Sequence, residues 1–320
     1  MDKSPHQRKL ASVTAASRRG RSLATSVVAF RSAERKKRAK AVAKRPTQAR
    51  AIKSSRVPLR TMKALGADAP TGLLLAEGDS WFDYPMNDVL RLLEDRHGYD
   101  VESVAHRGDC VEDMAYSAGQ FEEFARRLEK LLRQGRVPDA ILISGGGNDI
   151  AGDAFAVLLN HALSGLPTLN ADVVRGVIDV RLSNAYAFLI GGLTELSKQY
   201  LKRPIPILTH GYAYPVPDGR GFLGGWGPLP GPWLRPGFHD KGHGDQAVNS
   251  GVMRELIDRF NAALKRVGDA EQFRHVHYLD LRGTLSGDAT YKKDWANELH
   301  PTGRGFEIVA DRFAAALATL

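Results

Sequence analysis

Leu73-Leu74-Leu75-Ala76-Glu77-Gly78-Asp79-Ser80-Trp81-Phe82-Asp83-Tyr84-Pro85 (LLLAEGDSWFDYP) is the stretch that decides the fold. Leu73 to Ala76 form a short apolar run without alternation, which suits a strand buried on both faces inside a parallel sheet. Gly78 breaks the run, and Met86, Val89, Leu90 and Leu93 then recur at helical spacing. A hydroxyl at the C-terminal edge of a parallel strand, just before a helix, is where open α/β sheets place their chemistry. Taken alone, Gly78-Asp79-Ser80 also reads as an ordinary β-turn.

Working outward, the same change of period repeats. Val101–Ala105, Ala140–Ile143, Ile205–Leu208 and Val276–Leu279 read as further strands. Helical spacing marks Phe121 to Leu132, Ala185 to Leu196, Val252 to Leu264 and Phe306 to Leu317. Strands alternating with helices imply a parallel sheet covered on both faces. The expectation is one α/β domain over residues 66–320, three-layered and flavodoxin-like, with five parallel strands in the order 2-1-3-4-5. Two insertions interrupt it, at about 151–180 and 212–246. The second, rich in Gly, Pro and aromatics including Trp226 and Trp233, follows a strand's C-terminal end. It reads either as the wall or lid of a pocket or as a packed excursion.

Residues 1–60 differ from the rest. They hold 18 Lys and Arg against 2 Asp and Glu, a charge of +16, while the remainder of the chain carries −7. With few large apolar residues, the first 65 residues read as a basic, largely disordered arm, with some helix at Ala33–Arg45. Such an arm either binds an anionic surface, membrane or nucleic acid, or serves as a solvated tail. Cys110 is the only cysteine, so no intrachain disulfide forms. No apolar run is long enough to span a membrane. The expected location is cytoplasmic, or reached from the cytoplasm without a cleaved signal peptide.

Ester hydrolysis by a nucleophile needs a hydroxyl, a base for its proton, and donors for the developing oxyanion. Ser80 follows the first strand, Gly108 the second and Asn148 the third, and His300 precedes the final helix. In this order Gly78-Asp79-Ser80, Gly108, Gly146-Gly147-Asn148-Asp149 and His300-Pro301 resemble the four blocks of the SGNH, or GDSL, hydrolase superfamily. The resemblance covers about Gly72 to Leu320. It implies a serine hydrolase that cleaves a carboxylic ester through an acyl-enzyme on Ser80. The Ser80 and Gly108 N–H groups and the Asn148 amide would form the oxyanion hole, with His300 as base and then acid. No cofactor and no metal is implied. A carbohydrate O-acetyl esterase or acetyltransferase is the alternative on the same fold. A protein working through its basic arm is the alternative of another class.

The chain departs from the family pattern three residues before the histidine, where Asn297 stands in place of the usual aspartate. An asparagine carbonyl still orients an imidazole, as in Cys-His-Asn proteases. Asp294 and Glu298 are the competing candidates. Asp79 reads as an organiser of the turn, Asp109 and Asp149 as caps of the helices after their strands, and His106 as a rim residue. Asp83 and Tyr84 read as pocket lining, though Trp81, Phe82 and Tyr84 also suit the core. His239, Asp240, His243 and Asp245 read as loop residues in preference to a metal site, and Cys110 as a small buried apolar group.

Overall fold

The computed structural model describes residues 5–43, 70–117, 119–224 and 229–320. A long helix, α1 (Pro5–Ala43), comes first. Then follow β1 (Leu73–Glu77), α2 (Val89–His97), β2 (Asp100–Ser103), α3 (Val111–Tyr116), α4 (Gln120–Arg133) and β3 (Ala140–Ile143). The first insertion holds two 3-10 turns, Gly152–Leu158 and Ala162–Ser164. It then runs through α5 (Ala171–Val174) and a π-helical stretch (Arg175–Leu182) directly into α6 (Ser183–Leu201). After β4 (Ile207–His210) the second insertion contains α7 (Arg235–Asp240). The chain ends with α8 (Gln246–Gly268), β5 (Val276–Leu279) and α9 (Gly303–Leu317).

All four strand pairings are parallel, in the order β2-β1-β3-β4-β5. This is the expected fold, and the reason is burial. The central strands β1, β3 and β4 are covered on both faces, so their sequences carry no polar alternation. Helices α2 and α9 pair on one side, and α3, α4, α6 and α8 cover the other. The C-terminal ends of β1, β3 and β4 therefore open at one edge, with the turn after β1 at the centre.

The N-terminal expectation needs correcting. Pro5–Ala43 is one 39-residue helix laid against α6, not a disordered arm with few contacts; residues 44–65 of that arm lie outside the described residues, as does Trp226. The fully buried centre of the docking face is built from small residues, with Val13, Leu23, Val27 and Val28 packed against the core at partial burial around it. A Cβ on Gly20 would sit 1.9 Å from the Phe188 carbonyl oxygen, and one on Gly191 would sit 2.6 Å from that of Ser17. Ala16 and Ala24 are completely buried beside them. Close backbone approach supplies the dispersion contacts that bulky side chains usually provide. The basic charge is also used. Lys9 pairs with Asp179 at 2.7 Å, and Arg31 and Arg35 both pair with the buried carboxylate of Glu129, which Tyr200 OH also reaches at 2.8 Å. No helix among the described residues is long and apolar enough to cross a membrane.

Candidate active site

The turn after β1 is fixed by Asp79, whose buried carboxylate ties three strands together. Its Oδ1 accepts from Trp81 N–H at 3.0 Å and Ser144 Oγ–H at 2.7 Å, and its Oδ2 accepts from Tyr212 OH. Ser144 follows β3 and Tyr212 follows β4, so the carboxylate pins the edge on which Ser80 stands. Gly78 has to be glycine, because a Cβ there would lie 2.7 Å from Ser144 Cβ.

Trp81 then reaches across the chain. Its indole Nε1–H donates to the Leu299 carbonyl at 3.1 Å, holding the turn against the loop before α9. Ser80 Oγ lies 2.7 Å from His300 Nε2. On the other side of the ring, His300 Nδ1 lies 3.0 Å from Asn297 Oδ1. The same oxygen accepts from the backbone N–H groups of Leu299 and His300, at 3.0 and 2.9 Å. Those two donors identify the atom as the carbonyl oxygen, so His300 Nδ1 must carry the hydrogen and Nε2 presents its lone pair to Ser80. Asn297 Nδ2 donates to Tyr84 OH at 3.1 Å, and the Tyr84 ring stacks on the imidazole with centroids 4.3 Å apart. Burial pushes His300 down to about 3, which keeps the ring neutral.

The alternatives to Asn297 are engaged elsewhere. Asp294 accepts from Ser286 N–H at 2.9 Å and Arg304 Nη1 at 2.8 Å. Glu298, fully buried, turns away from the imidazole into the second insertion. Its carboxylate accepts four backbone N–H groups: Gly219 at 2.9 Å, Trp233 at 2.6 Å, Leu234 at 2.7 Å and Arg235 at 3.0 Å. Burial still raises its carboxyl above the ordinary range against those donors. This insertion is thus a packed wall. Trp233 faces the His300 ring edge-on at 5.3 Å.

Asn148 Nδ2 donates to the Asp109 carbonyl at 3.0 Å, tying the turn after β3 to the loop after β2. Gly108 has φ +92, a left-handed conformation that suits glycine. Among the described residues the N–H groups of Ser80 and Gly108 make no hydrogen bond within the chain. A cleft of about 320 Å³ joins Ser80, Gly108, Asn148 and His300, walled by Tyr84, Phe222, Trp233 and Arg107. A smaller apolar cavity of about 40 Å³ opens beyond Ser80 and Asn148 and is floored by Ile150, Met253 and Ile257.

The remaining candidates fall outside this constellation. Asp149 caps α3 through Val111 N–H at 2.9 Å, not the helix after its own strand. Asp109 makes no such cap, since the residue at that position is Cys110. Asp245 caps α8, and His243 Nε2 bonds the Asn160 carbonyl at 2.8 Å. The Cys110 thiol is pushed up to about 12 by burial and by Asp149 and Asp113, so it is no nucleophile. Tyr84 is a site residue that the sequence left open between pocket and core. The sequence offers Glu298 only as a candidate partner for the histidine, and nothing in its local sequence marks a long-range clamp.

The chain belongs to the GDSL-like lipase/acylhydrolase family, whose model matches residues 75–308. It is an α/β ester hydrolase of the SGNH type. No curated protein matches it. Among solved structures, a catalytic mutant of Axe2, an acetylxylan esterase from Geobacillus stearothermophilus, is 17% identical, covering 78% of this chain and 95% of its own, with a TM-score of 0.41. LAE5, an alpha/beta hydrolase enzyme from the metagenome of Lake Arreo, Spain, is 15% identical over 78% of this chain and 97% of its own, with a TM-score of 0.43. A putative platelet activating factor from Streptococcus pneumonia is 15% identical over 81% and 88%, also at 0.43. Likenesses this distant carry no argument about substrate.

Proposed function

We propose that the chain hydrolyses carboxylic esters through an acyl-enzyme on Ser80. The observation that carries this reading is the relay from Ser80 Oγ to His300 Nε2 at 2.7 Å and from His300 Nδ1 to Asn297 Oδ1 at 3.0 Å. His300 takes the hydroxyl proton as Ser80 Oγ bonds to the carbonyl carbon. The carbonyl oxygen gains the charge, and the Ser80 and Gly108 N–H groups with the Asn148 amide receive it. The bond from carbon to the alkoxy oxygen then breaks, and the alcohol leaves with the proton from His300. Water, activated by the same ring, returns the serine. Asn297 orients the imidazole without adding charge.

With p-nitrophenyl acetate, Ser80→Ala and His300→Ala should each lower kcat by about 10,000-fold or more, and the double variant should be little worse than either. A fluorophosphonate probe should label Ser80 in the parent chain. Labelling elsewhere, or full activity in Ser80→Ala, contradicts the reading.

The three aromatic rings around the cleft favour a second, narrower reading, a carbohydrate O-acetyl esterase or acetyltransferase, since such rings stack on sugar faces. Release of acetate from an acetylated oligosaccharide tests it, with a free sugar added as acceptor to detect transfer. Attachment to an anionic surface is a separate proposal, favoured by the outward-facing Arg18, Arg19 and Lys36 of α1. It predicts binding to anionic vesicles that weakens with salt.

A further inference from the structure

The reaction itself assigns the two cavities that meet at Ser80. The oxygen of the departing alcohol must face His300 Nε2, the only proton source in the relay, so the alcohol has to lie on the side that His300 lines. The oxyanion points at Gly108 and Asn148. The remaining substituent on the carbonyl carbon, the acyl chain, must occupy the third direction. The cleft of about 320 Å³ includes His300 in its wall; the cavity of about 40 Å³ includes Ser80 and Asn148 but not His300.

We propose that the small cavity is the acyl pocket and that it restricts the enzyme to acetyl and propionyl esters of bulky, ring-bearing alcohols. This rests on Ser80 as the nucleophile. A single water needs roughly 10–15 Å³ of such space, so the cavity of about 40 Å³ holds about three or four groups of that size, which the carbonyl carbon and a chain of one or two carbons occupy. Its floor cannot yield cheaply. Met253 and Ile257 project from α8 and are buried, and Tyr212 beside them is held by Asp79. Ala151 and Ala213 form the sides, where any larger residue would fill the space. The alcohol side has no such limit. It is several times larger, open to solvent, and faced by Tyr84, Phe222 and Trp233.

The test holds the alcohol constant and varies the acid, using p-nitrophenyl acetate, propionate, butanoate, hexanoate and octanoate. In the parent chain kcat/KM should fall at least about tenfold from propionate to hexanoate, the scale on which an apolar pocket rejects extra methylenes. Met253→Ala should raise the hexanoate-to-acetate ratio by about tenfold, and Ala151→Leu should lower the propionate-to-acetate ratio. A parent profile that is flat or rises towards octanoate overturns the assignment even if neither variant folds. So do ratios unchanged in two folded variants. Turnover of long-chain esters abolished by Ser80→Ala would sink the pocket while leaving the nucleophile intact. No turnover of any ester would sink both.

Discussion

Asn297 Oδ1 holds three hydrogens at once, from the imidazole Nδ1 of His300 and from the backbone N–H groups of Leu299 and His300. The side chain therefore pins its own loop and, in the proposed mechanism, orients the base. It fixes the tautomer but offers no countercharge to an imidazolium. Asn297→Ala should lower kcat less than Ser80→Ala or His300→Ala does, and Asp294→Ala should reduce it less still, because Asp294 serves Ser286 and Arg304. A much larger loss in Asp294→Ala than in Asn297→Ala would reassign the orienting role.

The pH profile follows from the same neutral environment. Burial lowers His300 from 6.5 to about 3, so the base stays unprotonated well into acid. The acid limb of kcat/KM should lie below pH 6.5, and Asn297→Asp should move it upward by stabilising the imidazolium. A parent midpoint at or above 6.5 contradicts this. The folding linkage has a definite sign. Between about 3 and 6.5 the unfolded chain binds this proton and the folded chain does not, so His300 makes stability rise with pH across that window.

Glu77 works in the opposite sense. It is buried at the end of β1, accepts from the Gly78 N–H at 3.1 Å, and burial raises it from 4.5 to about 9, with Asp109 adding to the shift. Between those values the folded chain keeps a proton that the unfolded chain has lost, so this residue makes stability fall as pH rises from 4.5 towards 9. Glu77→Gln should match the parent in urea near pH 4.5 and exceed it near pH 9. A difference that does not change with pH would show that the side chain does not titrate in this window.

Glu298 should separate chemistry from substrate placement. Glu298→Ala leaves four backbone N–H groups without an acceptor, that of Leu234 buried and the other three part-buried, at a cost of about 1–3 kcal/mol for the buried one unless water replaces it. The wall bearing Trp233 should loosen, and the Tm should drop. The loss in kcat/KM should be larger for an acetate ester of a bulky alcohol than for methyl acetate. Equal losses on both would mean that the clamp acts on the histidine loop alone.

The seat of α1 is tested at Glu129. Replacing Arg31 and Arg35 together by Ala strands a carboxylate that, among the described residues, Tyr200 alone still reaches. That should cost about 3 kcal/mol, the low end for an uncompensated buried charge. Gly20→Val should release the helix by a steric route, since its first carbon already collides with the Phe188 carbonyl. Limited proteolysis should then cut α1 in both variants while sparing the parent. Equal protection in all three would contradict the docking.

The sheet was legible because strands buried on both faces leave runs such as Leu73–Ala76 and Ala140–Ile143 that no amphipathic helix would show. Ser80, Gly108, Asn148 and His300 were legible because each stands just beyond such a run or before the last helix. Asn297 came from the resemblance, as the residue in the place of the family's usual aspartate, with Asp294 and Glu298 left as rivals. Glu298 was not legible as a clamp, because its partners are backbone groups 63 to 79 positions away, and backbone donors have no sequence signature. The role of α1 was hidden for a related reason. Ala16, Ser17, Gly20 and Ala24 make a contact face that average hydrophobicity does not register. The π-helical stretch at Arg175–Leu182 likewise carries no mark in the residue pattern that we can identify.

The pairing of α1 with α6 also constrains how the protein is made. The groove that receives residues 5–43 includes Gly191 and Gly192, which the ribosome adds about 150 residues later. At ~5–20 residues per second that is a wait of roughly 8 to 30 seconds with no partner present. A helix whose contact face was built from Leu and Phe would spend that interval as an adhesive apolar stripe. One whose fully buried positions are Ala, Ser and Gly, with Val13, Leu23, Val27 and Val28 only partly buried beside them and Lys and Arg alongside, leaves a thinner stripe exposed until its seat exists.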